Sequence, residues 1–241
     1  FPLDPTPETL SLYVTYQSQQ IEPRSVDAYL SGICSELEPY YPNVRAHRRS
    51  PLVARTLKGC KRLYSKPVRR KRALTREDLN LVASSLTHTE SYDDHLFLTL
   101  ILTGFHALLR LGELVWPDQR ELRSYRKLSK RTSVKLTADS FQFVLHSHKT
   151  DRQFAGDTVL VHSTVSGADP VKAFTVFLHT RDKRHPCRSE LWLRYDGSVP
   201  TRGWFTRHLR RFFPADVSGH SMRAGGAIAL ALDGVAHDSI Q

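Results

Sequence analysis

The sequence predicts a mainly helical protein with one small antiparallel β-sheet, an α+β fold, within its 241 residues. Apolar residues recur at helical spacing along most of the chain, and capping residues followed by proline mark several helix starts. Between residues 133 and 162 the spacing changes to the alternation of half-buried strands. We expect an all-helical N-terminal domain over residues 1–65, a basic linker over 66–74 and a mixed α/β domain over 75–241.

The first 65 residues contain the signals of three helices. Thr6-Pro7 predicts an N-cap followed by a first-turn proline, and Ser50-Pro51 predicts the same for the third helix. Ser25 is predicted to cap the second helix, which a proline-rich segment at 38–42 ends. The apolar residues of this second helix have the spacing of one buried face: Val26, Tyr29, Leu30, Ile33, Cys34 and Leu37.

Two further helices open the longer domain. Thr75 and Asp78 resemble a capping box. Ser91 with Asp94 repeats this start signal before a strongly apolar helical run, Leu96–Leu109. We expect this apolar helix to form the centre of the domain.

The alternating region predicts a three-stranded antiparallel sheet with a hairpin near Lys149. Its strand residues are Val134 and Leu136, then Phe141, Phe143 and Leu145, then Thr158 to Val161. Asp169-Pro170 and Thr201 are each predicted to begin a helix. A small-residue helix is expected over Ala224–Leu232, and a further helix is expected to begin at His237.

The net charge of +11 is concentrated in one segment. Residues 45–72 hold twelve Lys or Arg and no Asp or Glu, whereas the rest of the chain holds 23 basic and 24 acidic residues. A solvated helix face usually mixes both signs, so a block of one sign favours a polyanionic partner. Nucleic acid is the first hypothesis and an anionic membrane surface the second.

The cations of this segment are the predicted DNA contacts. The third helix has an apolar stripe and cationic outer faces, as expected of a helix that lies against a phosphate backbone. The linker is nearly all positive, which indicates a tether held on DNA and is also compatible with a nuclear-import signal. The predicted DNA-binding residues are Arg55, Lys58, Lys61, Arg62, Lys66, Arg69, Arg70, Lys71 and Arg72.

Composition also indicates an intracellular protein. The three cysteines, Cys34, Cys60 and Cys187, cannot all pair, and we expect them to be reduced core residues. No stretch of eighteen apolar residues is present, so no membrane span is expected. Of the two hypotheses for the partner of the cationic segment, nucleic acid is the expected one, and no membrane partner is expected. The N-terminus has no secretion signal and no initiator Met, which is expected of a processed chain or a fragment.

Three short motifs carry the candidate chemistry. Ser218–Gly226 opens a helix on which His220 and Arg223 share a face at the positively polarised N-terminus, a place suited to a phosphate. Arg110 interrupts an apolar helix and is followed one turn later by Glu113. A buried Arg–Glu pair is commonly structural, and a lysine near a hairpin tip is commonly a solvated turn residue, so each motif by itself is ambiguous.

The order of these motifs resembles the tyrosine recombinases, and most closely the Cre-like branch of that family. Arg110-Leu111-Gly112-Glu113-Leu114, a hairpin lysine at Lys149, and Ser218-Gly219-His220-Ser221-Met222-Arg223 follow one another as in that family. The helical basic domain, cationic linker and mixed domain also follow the family's order of core-binding and catalytic domains. Cryptons and related eukaryotic elements carry such domains, so a mobile-element origin is expected, with a nuclear location if the host is eukaryotic.

The resemblance implies a catalytic set of Arg110, Glu113, Lys149, His220 and Arg223. The two arginines would hold the oxygens of a scissile phosphate, and Lys149 would protonate the leaving 5′-oxygen. His220 would add a hydrogen bond and assist proton transfer, while Glu113 would orient an arginine or the histidine. The implied partner is double-stranded DNA bound by a dimer or tetramer of the protein. No cofactor and no metal is expected, because the arginines supply the positive charge.

The family's nucleophilic tyrosine has no counterpart after Arg223, since the last tyrosine of the sequence is Tyr195. As given, the chain is therefore expected to bind DNA without cleaving it, and the unfinished last helix favours truncation. A recombinase-derived DNA-binding scaffold without catalysis is the alternative hypothesis. A type IB topoisomerase would share the active-site logic but not the Cre-like domain order.

Overall fold

The computed structural model describes residues 4–67, 70–146, 156–165, 167–236 and 238. The chain forms two compact units, Phe1–Arg69 and Arg70–Gln241, and the division falls within the segment predicted to be a linker. Within the described residues, no helix is long and apolar enough to cross a membrane.

Unit 1 consists of helices. They are α1 (Pro7–Gln20), α2 (Pro23–Leu37), α3 (Val44–Arg48) and α4 (Pro51–Tyr64). Helices α1, α2 and α4 pack on one another around a small apolar core that includes Leu10, Val14, Val26, Leu30 and Val53. The 3.6-residue spacing of these side chains places them on facing sides of the three helices.

The predicted caps of α1 and α4 are confirmed, because Thr6 Oγ1 accepts from Thr9 N at 3.3 Å and Ser50 Oγ accepts from Val53 N at 3.4 Å. The predicted start of α2 at Ser25 was wrong. The helix begins at Pro23, whose ring presets the helical φ angle and whose missing N–H is not needed in a first turn. The short helix α3 was not predicted.

Unit 2 contains six helices and one sheet among its described residues. The helices are α5 (Arg76–Ser85), α6 (Tyr92–His106), α7 (Leu111–Leu114), α8 (Pro170–Arg184), α9 (Arg202–Leu209) and α10 (Gly219–Leu232). The predicted capping box at the start of α5 is present, and the predicted starts of α6, α8 and α9 are confirmed. Helix α6 is buried over most of its surface and contacts α8, α10, α9 and α5, which explains its nearly continuous apolar sequence.

The predicted antiparallel sheet is confirmed, with the strand order β1 (Lys135–Leu136), β2 (Ser140–Leu145) and β3 (Asp157–His162). Along β2, buried and half-buried residues alternate, as the period-2 pattern predicts. Phe141 stacks on Phe174 of α8, with ring centroids 3.9 Å apart. One face of the sheet is therefore part of the core of unit 2.

The predicted helix through Leu109 was wrong at its end, because α6 stops at His106. Leu108 adopts a left-handed φ of 53°, and Leu109 N donates to Gly104 O at 3.0 Å, so the chain reverses in a Schellman-type C-cap. A left-handed leucine costs about 1–2 kcal/mol, which burial of Leu109 helps to offset. Arg110 consequently lies outside the helix, in extended backbone at the N-cap of α7.

The predicted helix start at Ala224 was also wrong, since α10 begins at Gly219 and includes His220 in its first turn. Leu74 is buried beside it and donates its backbone N–H to Ser221 O at 3.0 Å. The last residues of the predicted linker therefore pack against unit 2. The predicted helix from His237 lies outside the described residues, apart from Asp238.

The cysteine prediction was correct for two residues and wrong for the third. Cys34 and Cys60 are buried in unit 1 and are not disulfide-bonded. Cys187 is also a free thiol, but it is exposed, because the loop after α8 places it on the surface.

Candidate functional site

Glu113 holds Arg110 in place at the start of α7. Its Oε2 accepts from the Arg110 backbone N at 2.7 Å, and its Oε1 accepts from Arg110 Nη1 at 3.0 Å. The Glu113 side chain is 10% exposed and that of Arg110 is 40% exposed. Both oxygens of the Glu113 carboxylate therefore accept from Arg110. Among the described residues, Arg110 Nε and Nη2 make no hydrogen bond.

A close helix contact brings the start of α10 next to α7. A Cβ placed on Gly219 would lie 2.5 Å from Leu111 Cδ2, so only glycine allows this approach. Leu111 immediately follows Arg110, and Gly219 immediately precedes His220. The packing of these two apolar neighbours therefore places Arg110, Glu113 and His220 around one cleft.

This cleft opens to solvent and is lined by several basic side chains. Its lining residues are Arg110, Leu111, Gly112, Glu113, Lys127, Arg202, Thr206, Ser218, Gly219 and His220. Arg223 is half-buried one turn into α10 and is not among the lining residues. The structure thus gathers Arg110, Glu113 and His220 in the cleft. Arg223 lies three residues after His220 on the same helix, α10.

The cations of the cleft are largely uncompensated. Among the described residues, the side chains of Lys127, Arg202 and His220, which line the cleft, form neither a hydrogen bond nor an ion pair, and the same holds for Arg223, which does not line it. Ser218 Oγ at the N-cap of α10 is buried and has no hydrogen-bond partner in the described part of the chain. Such a set of free donors at a helix N-terminus suits an anion with several oxygens. No group of three His, Cys, Asp or Glu that could hold a metal occurs in the described part of the chain.

Lys127 and Arg202 were missed by sequence reasoning. Arg202 begins α9, and its Nη2 lies 3.9 Å from a Cβ placed on Gly112. Lys127 belongs to a 3₁₀ turn, Tyr125–Lys127. Neither residue has a neighbouring motif, so only tertiary packing reveals that both face the cleft.

Two predicted site residues, Lys149 and Arg69, lie outside the described residues. Tyr195, the last tyrosine of the sequence, lies under the Arg184 guanidinium, 3.2 Å from ring centroid to Cζ. No tyrosine is among the residues that line the cleft in the described part of the chain.

Helix α4 of unit 1 presents a second set of free cations. Arg55, Lys58 and Arg62 are exposed, and no described residue makes a hydrogen bond or ion pair with their side chains. Lys61 differs, because its Nζ donates to Asp27 Oδ2 at 2.8 Å, and this bond lowers the pKa of Asp27. The structure therefore separates three available cations on α4 from one that ties α4 to α2.

The described cations of the predicted linker are also of two kinds. Lys66 and Arg70 are exposed and their side chains have no partner among the described residues. Lys71 Nζ donates to Ala215 O at 2.6 Å, and Arg72 Nη1 pairs with Asp78 Oδ2 at 2.5 Å. Lys71 and Arg72 thus anchor the chain to unit 2.

No protein-family model matches the sequence, and no curated protein matches it. Solved structures do match. The chain has the mainly helical fold with a small three-stranded sheet found in the catalytic domains of tyrosine recombinases.

Three of these structures show the extent of the likeness. The Tn1549 transposon integrase in complex with circular intermediate DNA is 14% identical, with a TM-score of 0.57, 98% of this chain covered and 76% of that one. A lambda integrase dimer bound to a COC′ core site is 13% identical, with a TM-score of 0.59, 100% of this chain covered and 77% of that one. The XerH site-specific recombinase in a post-cleavage complex with a palindromic difH substrate is 13% identical, with a TM-score of 0.61 and 98% of this chain covered.

The structural neighbours are thus tyrosine recombinases and integrases, and at these identities the likeness establishes the fold. The chain spans 64% of the XerH chain, less than two thirds of its length.

Proposed function

We propose that the protein is a site-specific DNA recombinase of the tyrosine class, whose cleft binds the scissile phosphate of duplex DNA. The observation that carries this proposal is the convergence of Arg110, fixed by Glu113, and the N-terminus of α10 with His220 on one cleft. The fold shared with recombinases and integrases bound to DNA supports it.

The residues of the cleft suit phosphoryl transfer. In the proposed reaction a tyrosine oxygen attacks the phosphorus, a 3′-phosphotyrosine bond forms and the bond to the 5′-oxygen breaks. Arg110 and Arg223 would stabilise the charge on the non-bridging oxygens, and His220 would donate a hydrogen bond to one of them. Lys149 would give its proton to the leaving 5′-oxygen, which is otherwise a poor leaving group. Glu113 is a positioning residue, since it acts through Arg110.

We further propose a Cre-like organisation, in which unit 1 and unit 2 each contact the duplex and the protein acts as a dimer or tetramer. The motif order and the cationic α4 support the two-domain contact. The proposal also includes a mobile-element origin and, in a eukaryotic host, action in the nucleus.

Trapping the covalent intermediate tests the enzymatic reaction. The coding sequence past Gln241 is first read for a tyrosine within about fifty residues. The full-length protein is then incubated with nicked cognate duplex, and we expect a protein–DNA adduct that survives denaturation and carries a 3′-phosphotyrosine. Saturated binding without an adduct would instead establish a DNA-binding scaffold, and a stop codon in place of the tyrosine would favour the scaffold hypothesis.

Replacing Arg55, Lys58 and Arg62 by glutamine tests the contact made by α4. Each phosphate contact contributes about 0.9 to the slope of log K against log salt, so we expect the slope for duplex binding to fall by about 3. The loss of affinity should be similar for all DNA sequences, because contacts with the DNA backbone do not distinguish the bases. Fluorescence anisotropy between about 50 and 200 mM salt measures it.

The matched control removes the same charge elsewhere. Arg24, Lys172 and Lys183 are exposed, and among the described residues their side chains have no partner. Their triple glutamine variant should keep a slope close to that of the unmodified protein. Equal slopes for the two triple variants would show that α4 is not a DNA contact.

A further inference from the structure

A second cationic segment lies in unit 2. We name residues 117–131 the strap; it joins α7 to the sheet and includes the 3₁₀ turns Arg120–Leu122 and Tyr125–Lys127. From residue 120 to residue 131 it holds six Lys or Arg and one Glu. The net charge of the chain does not reveal this cluster of basic residues, because acidic residues elsewhere in unit 2 offset its charge.

Two of the six cations hold the strap in place. Arg123 donates to Pro117 O at 3.0 Å and to Asp118 O at 2.8 Å, and its guanidinium lies over the Trp116 ring. Arg131 forms a fork with Asp182, with Nη2 to Oδ2 at 2.7 Å. These two arginines therefore serve the fold.

The other four cations are available. Arg120, Arg126, Lys127 and Lys130 are exposed, and no described residue makes a hydrogen bond or ion pair with their side chains. None of the four pairs with a described carboxylate, in contrast to Arg131, which pairs with Asp182. A strap whose anchors are paired and whose remaining cations are free presents a positive surface to solvent.

Part of this surface is concave. A groove is lined by Tyr125, Arg126, Leu128, Lys130, His146, Ser189 and Glu190. His146 Nε2 is buried there and has no hydrogen-bond partner among the described residues, and Tyr125 is 70% exposed. The one carboxylate of the groove is already used, since Arg188 donates to both oxygens of Glu190, at 3.1 and 3.0 Å, and lowers its pKa.

The strap is continuous with the candidate cleft. Lys127 lines the cleft beside Arg110 and His220, while its neighbours Tyr125 and Arg126 line the groove. We propose that the strap is a DNA-backbone contact surface, on which Arg126 and Lys130 bind phosphates of the duplex next to the one held in the cleft. This inference rests on the proposed function, since that function places the phosphate in the cleft.

Duplex DNA fits this surface better than an acidic protein does. The cations without a partner among the described residues continue from the candidate cleft into the groove, as expected for successive phosphates along a duplex. Lys, Arg and Tyr side chains are among the groups that donate hydrogen bonds to DNA phosphates.

The test compares two double variants of the same charge. Arg126→Gln with Lys130→Gln removes two proposed contacts, so the salt slope for duplex binding should fall by about 2 and the affinity by roughly 10–100-fold at 0.1 M salt. Lys172→Gln with Lys183→Gln, on α8, should change neither. The far-UV circular dichroism of both variants should match that of the unmodified protein.

The exposed thiol of Cys187 gives an independent readout. It lies two residues before Ser189, which lines the groove and whose carbonyl accepts from Arg131 N at 2.7 Å. Cys34 and Cys60 are buried, so an azidophenacyl photo-crosslinker should modify Cys187 selectively in the folded protein. We expect irradiation to crosslink it to bound duplex, and Cys187→Ser to abolish that crosslink.

A reduced slope together with the crosslink supports the strap surface. If the unmodified protein binds duplex DNA but the two double variants behave alike and Cys187 does not crosslink, the strap proposal is overturned while the proposed function stands. The strap proposal is also overturned if the Arg126/Lys130 double variant binds duplex DNA normally and loses affinity only for an acidic polypeptide or for single-stranded RNA. Absence of duplex binding by the unmodified protein would be a failure of the proposed function itself.

Discussion

Replacing Gly226 by alanine is expected to destabilise unit 2 by about 3 kcal/mol, the upper end of the usual cost of overpacking. A Cβ at this position would lie 2.0 Å from the carbonyl oxygen of Phe105, and that oxygen cannot rotate away as a side chain can. The neighbouring Gly225 meets Leu74 O at the same distance. Relief therefore requires α10 to move away from α6, which opens the packing that positions the cleft.

Urea denaturation of the full chain, followed by tryptophan fluorescence, measures this loss, because Trp116, Trp192 and Trp204 all belong to unit 2. The same substitution at Gly32 in α2 is the control. A Cβ there meets nothing within 4 Å, and Gly32 belongs to unit 1, so the unfolding transition of unit 2 that the tryptophans report should be unchanged. A Gly226→Ala protein as stable as the unmodified one would show that α10 and α6 do not pack this closely.

Replacing either Arg110 or Arg223 by glutamine is expected to slow DNA cleavage by about 10²–10³-fold in the full-length protein. Each arginine would offer preorganised donors to a phosphate oxygen that gains charge in the transition state. Glutamine keeps a polar side chain but loses both the charge and the fork of donors. The rate of adduct formation on nicked duplex under saturating protein measures the chemical step apart from binding.

Lys172→Gln removes the same charge at an exposed site on α8 and should leave this rate unchanged. Duplex affinity should fall far less than the cleavage rate in the Arg110 and Arg223 variants, because the contact proposed for each would strengthen in the transition state. Equal losses in affinity and rate would assign these arginines to ordinary DNA binding.

The fold was largely predictable because its helix starts are encoded locally. Thr6, Ser50, Thr75, Ser91 and Thr201 each accept a hydrogen bond from a backbone N–H three residues ahead. Such bonds need only neighbouring residues, so they can be predicted without the rest of the protein. The alternating strands were predictable for the same reason, since one face of the sheet is buried.

The helix ends were less predictable because they depend on distant packing. Apolar composition alone continues the sixth helix to Leu109, whereas the structure ends it with a left-handed Leu108, a conformation that leucine avoids unless its surroundings impose it. The Leu108 side chain lies close to Gly226 of α10, and no local sequence pattern predicts this contact.

Residue types and their order along the chain were sufficient to select Arg110, Glu113 and His220 as candidates for phosphate chemistry. Their assembly into one cleft depends on the contact of Leu111 with Gly219, two residues far apart in the chain. The same holds for charge. The composition of residues 45–72 indicated a polyanionic partner, but only the folded chain distinguishes Lys61, which is bound to Asp27, from Arg62, whose side chain has no partner among the described residues. A side chain's identity is local information, whereas its partners are set by residues that folding brings together.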